Sequence, residues 1–141
     1  MNALQWQTAQ HSLEGGRLDE MHQEFVALLN LLAAADDEEE AAFLKRLIAH
    51  CEMHFGQEEL WMREVALPTR EQHVRDHDDV LALLQHALDD VRRGQAGAGR
   101  DLVEPLGNWF ERHGDTLDAA LAFLMQAKLH RGEAAVIPAV G

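Results

Sequence analysis

The chain has 141 residues, enough for one domain that buries most of its apolar surface without disulfides. Its formal net charge is −13, from 25 Asp and Glu against 12 Lys and Arg; such a surface repels nucleic-acid phosphates and anionic membranes and leaves metal cations as the more natural charged partner. Hydrophobic residues make up 47%, Tyr is absent and only three Pro occur, which favours helix, and no alternating β-branched run of strand length appears.

Residues 1–17 read as an irregular N-terminal arm draped over the body, anchored by Trp6 and Leu13 and closed by Gly15-Gly16. A first helix is expected over residues 18–34, with Leu18, Met21, His22, Phe25, Leu29 and Leu32 at helical spacing. The acidic run 36–40 reads as a solvated cap and first turn, favourable against the helix dipole, of a second helix over residues 37–64. That helix turns Leu44, Leu47, Cys51, His54, Phe55, Glu58 and Met62 to one side, and Leu67-Pro68 stops it. Thr69 and Gln72 make a capping-box pattern for a third helix, whose inward face carries His73, His77, Val80, Leu84 and Leu88.

Residues 94–99 are expected to form a flexible connection; no strand precedes them and no Gly-Lys-Ser/Thr follows, which excludes a phosphate loop. The fourth helix starts near Asp101 or Glu104, with Pro105 in its first turn, and points Leu106, Trp109, Phe110, His113, Leu117 and Leu121 inward. Residues 130–141 lose periodicity and read as a loosely ordered tail. Four helices with short connections predict an all-α, up-down-up-down antiparallel four-helix bundle over residues 18–129.

The amino terminus lacks a basic region followed by an apolar core. The longest apolar stretch, residues 26–35, is interrupted by Asn30 and too short to span a bilayer. A soluble, cytoplasmic protein is expected. The single Cys51 cannot form an internal disulfide and, on the inward face, reads as a small buried thiol.

On these inward faces the polar exceptions carry the chemistry. A helix aims residues four apart in nearly one direction, so His54 and Glu58 form one pair and His73 and His77 another; His113, Asp118 and the lone His22 complete the set. Imidazoles and ionised carboxylates buried among Leu side chains are costly without partners. A cation removes that cost. No thiolate cluster exists, and seven nitrogen and oxygen donors are too many for one tetrahedral zinc; they suit two octahedral ions bridged by carboxylates, with iron favoured over manganese or copper. No Glu lies three residues before any of the nine His, which disfavours the ferritin-like pattern. His113 and Asp118 are five apart, about 140° around an ideal helix, so Asp118 is expected to reach sideways, with Gly114 easing local distortion.

In chain order, Leu18-Asp19-Glu20-Met21-His22, His54-Phe55-Gly56-Gln57-Glu58-Glu59, His73 to His77, and Trp109-Phe110 followed by His113 and Asp118 closely resemble the single-domain bacterial hemerythrins, and Trp6 resembles that family's early Trp. The resemblance implies a non-haem di-iron centre, oxo- or hydroxo-bridged, with Glu58 and Asp118 bridging. It places His73, His77 and His113 on one iron, His22 and His54 on the other, and leaves one coordination position for reversible dioxygen binding. It further implies an oxygen pocket of Phe25, Trp109, Phe110 and Gly114. Gly114 departs from the bulky apolar residue usual in relatives, and faster autoxidation or easier azide access is expected from that opening.

His50, where relatives often carry an aromatic, reads as a packed or partly exposed residue, with a supporting or gating role that titrates near neutral pH as the alternative. His11, His86 and His130 read as surface residues. The expected ligand is dioxygen, with azide or nitric oxide as competitors, and a monomer is the simplest assembly. The alternative is a di-iron enzyme reducing peroxide or nitric oxide; iron buffering is disfavoured because saturated His ligation should hold its ions tightly.

Overall fold

The computed structural model describes residues 4–7 and 16–136, with side chains described as far as Leu129. The described residues contain helices and no strand: α1 (Arg17–Ala34), α2 (Glu40–Glu64), α3 (Arg70–Arg92), a 3-10 turn (Arg100–Leu102) leading into α4 (Val103–His113), a π-turn (Gly114–Asp118) and α5 (Ala119–Val136). The last three run on as one rod, so the architecture is an antiparallel four-helix bundle in which α2 packs on both α1 and α3, and α1 also meets α4. None of the helices is long and apolar enough to cross a membrane.

The inward apolar faces meet as the spacing requires. Phe25, Leu29 and Leu32 pack with Leu44, Leu47 and Phe55, with Val80, Leu84 and Leu88, and with Val103, Leu106 and Phe110 to fill one end of the bundle. Two smaller clusters, Leu18 with Met21 and Ala122, and Met62 with Leu67 and Leu121, close the other. Along every rod the polar inward residues fall between these apolar layers. From the arm, Leu4 and Trp6 lie against the larger cluster, and the Leu4 carbonyl accepts from Asn30 Nδ2 at 2.6 Å. Leu13 and Gly15 lie outside the described residues.

Several boundaries differ from the sequence reading. The regular part of the second helix begins at Glu40 rather than residue 37, and the turn before it is closed by a capping box: Asp36 N–H donates to Glu39 Oε1 at 3.1 Å and Glu39 N–H to Asp36 Oδ1 at 2.9 Å. Thr69 makes no such box, and its hydroxyl is buried without a partner. The acidic run is not solvated throughout. Glu40 is fully buried and accepts from the backbone N–H of Gly97 at 2.8 Å, Gly99 at 2.9 Å and Arg100 at 2.9 Å. The connection expected to be flexible is therefore pinned to α2, while Gly94, at φ 97°, supplies the left-handed residue that ends α3. The final helix continues past Leu129 to Val136; residues 137–141 lie outside the described residues.

Candidate metal centre

Seven side chains from all four rods meet in one layer, none more than 4% exposed: His22 from α1, His54 and Glu58 from α2, His73 and His77 from α3, His113 from the end of α4 and Asp118 from the end of the π-turn. They form two groups that share Glu58. Glu58, His73, His77, His113 and Asp118 make one and His22, His54 and Glu58 the other, with candidate donor atoms inside each group within 4.8 Å of one another.

Each carboxylate turns one oxygen toward each group. Glu58 Oε1 lies 3.2 Å from Nε2 of both His73 and His77, whereas Oε2 contacts His54 and lies 3.5 Å from His22 Nε2. Asp118 Oδ1 is 3.0 Å from His73 Nε2 and 2.9 Å from His113 Nε2, and its Oδ2 is 3.1 Å from His22 Nε2.

The expected sideways reach of Asp118 does not occur, because the backbone makes the adjustment. Ala119 N–H bonds to the Gly114 carbonyl, five residues back, and this wider turn brings His113 and Asp118 to the same layer while Leu117 is only half-buried. Thr116 Oγ1 donates to the Arg112 carbonyl at 2.7 Å, occupying an acceptor at the disturbed turn.

The donor set fits a cation. His77 Nε2 and His113 Nε2 face each other at 3.3 Å, while their outer nitrogens face carboxylates: His113 Nδ1 is 2.6 Å from Asp76 Oδ2, and His77 Nδ1 is 3.5 Å from Glu59 Oε2. A proton on each outer nitrogen leaves two inward lone pairs face to face, a repulsive arrangement that a cation between them reverses. His22 Nε2 and Asp118 Oδ1 are likewise buried with no aligned hydrogen bond.

In the metal-free chain, protons take over the compensation. Burial pulls the His22 imidazole down, but the Asp118 and Glu58 carboxylates more than reverse this and raise it to about 10. The same balance raises His73 to about 9 and also lifts His113, chiefly through Asp118. Burial pushes Glu58 up and burial with the Glu58 charge pushes Asp118 up, yet the surrounding imidazoles, led by His54 and His113 respectively, hold both well below the usual carboxylate range.

Three of the four residues read as an oxygen pocket come together. Phe25 stacks on Phe110 with centroids 5.2 Å apart and lies 6.2 Å from Trp109, and Phe110 meets His22 edge-on at 5.3 Å. Gly114 opens the π-turn beside open space: a Cβ there meets nothing within 4 Å. Phe55, one of the inward residues of α2, stacks on His77 at 4.0 Å.

His50 is buried behind His54, its Nε2 3.1 Å from the Met21 carbonyl, and burial together with the His54 charge lowers it to about 4. It stays neutral at neutral pH, contrary to a gate that titrates there. His86 is exposed, whereas His11 and the His130 side chain lie outside the described residues. Asp76 was missed altogether, since between His73 and His77 nothing ties it to a residue 37 positions on.

Comparison with known proteins bears on this layer. The family model described as the hemerythrin HHE cation binding domain matches residues 16–122. A bacteriohemerythrin from Ralstonia nicotianae is 36% identical over 118 residues, spanning 84% of this chain and 85% of that protein. Among solved structures, wild-type hemerythrin gives a TM-score of 0.76 at 22% identity, covering 84% of this chain and 94% of its own. A leucine-to-alanine hemerythrin mutant gives 0.79 at 22%, covering 88% and 98%. At that identity the structural likeness speaks for the fold alone.

Proposed function

Because the chain belongs to the hemerythrin HHE cation-binding family, we propose that it binds dioxygen reversibly at a non-haem di-iron centre held by His22, His54, Glu58, His73, His77, His113 and Asp118. The observation that carries this reading is the sharing of Glu58 between a three-histidine and a two-histidine group, with the oxygens of both carboxylates divided between them. That division suits two octahedral ions, one with His73, His77 and His113 and the other with His22 and His54. When bound, an iron pair would supply the electrons for reversible dioxygen uptake.

The chain's own residues provide the setting. Phe25, Phe110 and Trp109 form an aromatic wall on the His22 and His113 sides, which excludes water and disfavours anions such as azide. Phe55 fixes the plane of the His77 ring. Cys51, raised to about 12 by burial, remains a protonated thiol and an unreactive neighbour. All seven donors come from one chain, so a monomer suffices, with azide and nitric oxide as competing ligands. Carriage, storage, delivery or sensing of dioxygen in a cytoplasmic setting each needs only this binding.

Iron analysis with absorption spectra recorded with and without air tests the proposal. About two irons per chain and a visible band that vanishes reversibly on deoxygenation are expected. A colourless protein carrying one zinc defeats it. Rapid conversion to a stable oxidised form with steady peroxide or nitric oxide consumption replaces it with the enzymatic alternative.

A further inference from the structure

Asp76 occupies a place that the seven-donor set does not account for. It lies on α3 with its side chain 34% exposed, on the wall of a cleft of about 710 Å³ shared with Arg75, Asp79, Trp109, Arg112 and His113. One carboxylate oxygen, Oδ2, takes two contacts at once: His113 Nδ1 at 2.6 Å and the Trp109 indole N–H at 3.0 Å. Trp109 also stacks on the His113 ring, with centroids 4.5 Å apart and planes 24° from parallel. The carboxylate, the indole and the imidazole therefore form a closed triangle in which each member limits the movement of the others.

His54 and His73 lack such support. The Nδ1 atoms of both are buried without a hydrogen-bond partner, and the Glu59 contact to His77 Nδ1, at 3.5 Å, is far longer than the Asp76 contact. A short bond from an imidazole N–H to a carboxylate fixes the tautomer, fixes the ring plane and makes the opposite nitrogen a stronger donor. Of His54, His73, His77 and His113, only His113 has that short bond from its outer nitrogen to a carboxylate.

We propose that Asp76 is a positioning residue of the metal centre: through Oδ2 it holds the proton of His113 on Nδ1, keeps Nε2 free as a donor, and is itself aimed by the Trp109 N–H. This rests on the reading of His113 as a ligand. It adds that the three-histidine group holds its ion through a support reaching the surface cleft, where a change at one exposed carboxylate is felt by the metal.

The test uses the full chain without air, with cobalt(II) as a spectroscopic probe competed against a chelator. Asp76→Asn is expected to lower the affinity for one of the two ions by about 10–100-fold. The amide can turn its NH₂ toward Nδ1 and so favour the tautomer with Nε2 protonated. The visible cobalt band should shift with it, which mere loss of packing does not produce. Asp76→Glu should restore part of the affinity. Trp109→Phe, which keeps an aromatic ring and removes only the N–H, should shift the band in the same direction by less. Asp79→Asn removes an equal charge from the same cleft and should change neither quantity.

Cobalt affinity and band unaltered in Asp76→Asn, or altered equally in Asp79→Asn, overturn the proposal. Far-UV circular dichroism identifies a variant that fails to fold, and Trp109→Phe then decides. Failure of the underlying ligand assignment has a separate signature: His113→Ala binding as much cobalt as the unaltered chain.

Discussion

Loading the centre with metal should expel protons in a number set by the metal-free layer. His22 stands at about 10 and His73 at about 9, so at pH 7.5 both carry a proton, each offset by a buried carboxylate. Both nitrogens must give up that proton to become donors. About two protons are thus expected per fully loaded chain, with apparent affinity rising by close to a hundredfold per pH unit between about pH 7 and 8. A weakly buffered solution with a pH indicator reads the protons directly as cobalt(II) is added, and chelator competition at several pH values reads the slope. The metal-free fold supplies an independent sign. Because the folded values of His22 and His73 exceed the ordinary 6.5, their stabilisation is complete below that pH and is lost as pH rises through about 9 and 10. The loaded chain has already released these protons and should not show that alkaline loss. Release of fewer than one proton, or an affinity that does not vary with pH, would refute the picture of protons standing in for cations.

Two further expectations concern other parts of the fold. Glu40→Ala strips three backbone N–H groups of a charged acceptor, one of them, on Gly99, buried. A loss of about 2–4 kcal/mol is expected in urea unfolding of the metal-free chain, and a loss below about 0.5 kcal/mol would show the clasp to be incidental. Gly114→Ile places a branched side chain where nothing lies within 4 Å of the new Cβ. If that space leads to the centre, autoxidation and azide binding should both slow by about fivefold, a barrier change of about 1 kcal/mol; unchanged rates assign the opening to bulk solvent.

Much of this arrangement was written in periodicity. Leu18, Phe25, Leu29 and Leu32, with their counterparts on the other helices, repeat at intervals only a helix turns to one side, and His22, His54, Glu58, His73 and His77 share those faces. What the sequence hid depends on distant partners or on backbone shape. Glu40 is one carboxylate in an acidic run, and its partners lie some sixty residues later in a glycine-rich connection that by composition looks loose. Asp76 sits beside Asp78 and Asp79 and differs from them only in meeting His113 and Trp109 across the bundle. The π-turn was legible only as a conflict, a five-residue spacing where four was needed, and nothing in the residues told whether side chain or backbone would yield.

That yielding has a consequence for how the last rod tolerates change in length. On α2, His54 and Glu58 serve the layer from four positions apart, whereas His113 and Asp118 do so from five, so the rod carries one surplus residue absorbed within a single loop of backbone. Everything downstream keeps its phase as if that residue were absent: Leu121 and Ala122 still seat against the bundle. Shortening the chain by one position between Asp115 and Leu117 should leave an ordinary helix that presents the same two polar groups. The same excision a few residues later should rotate Leu121 out of its seat.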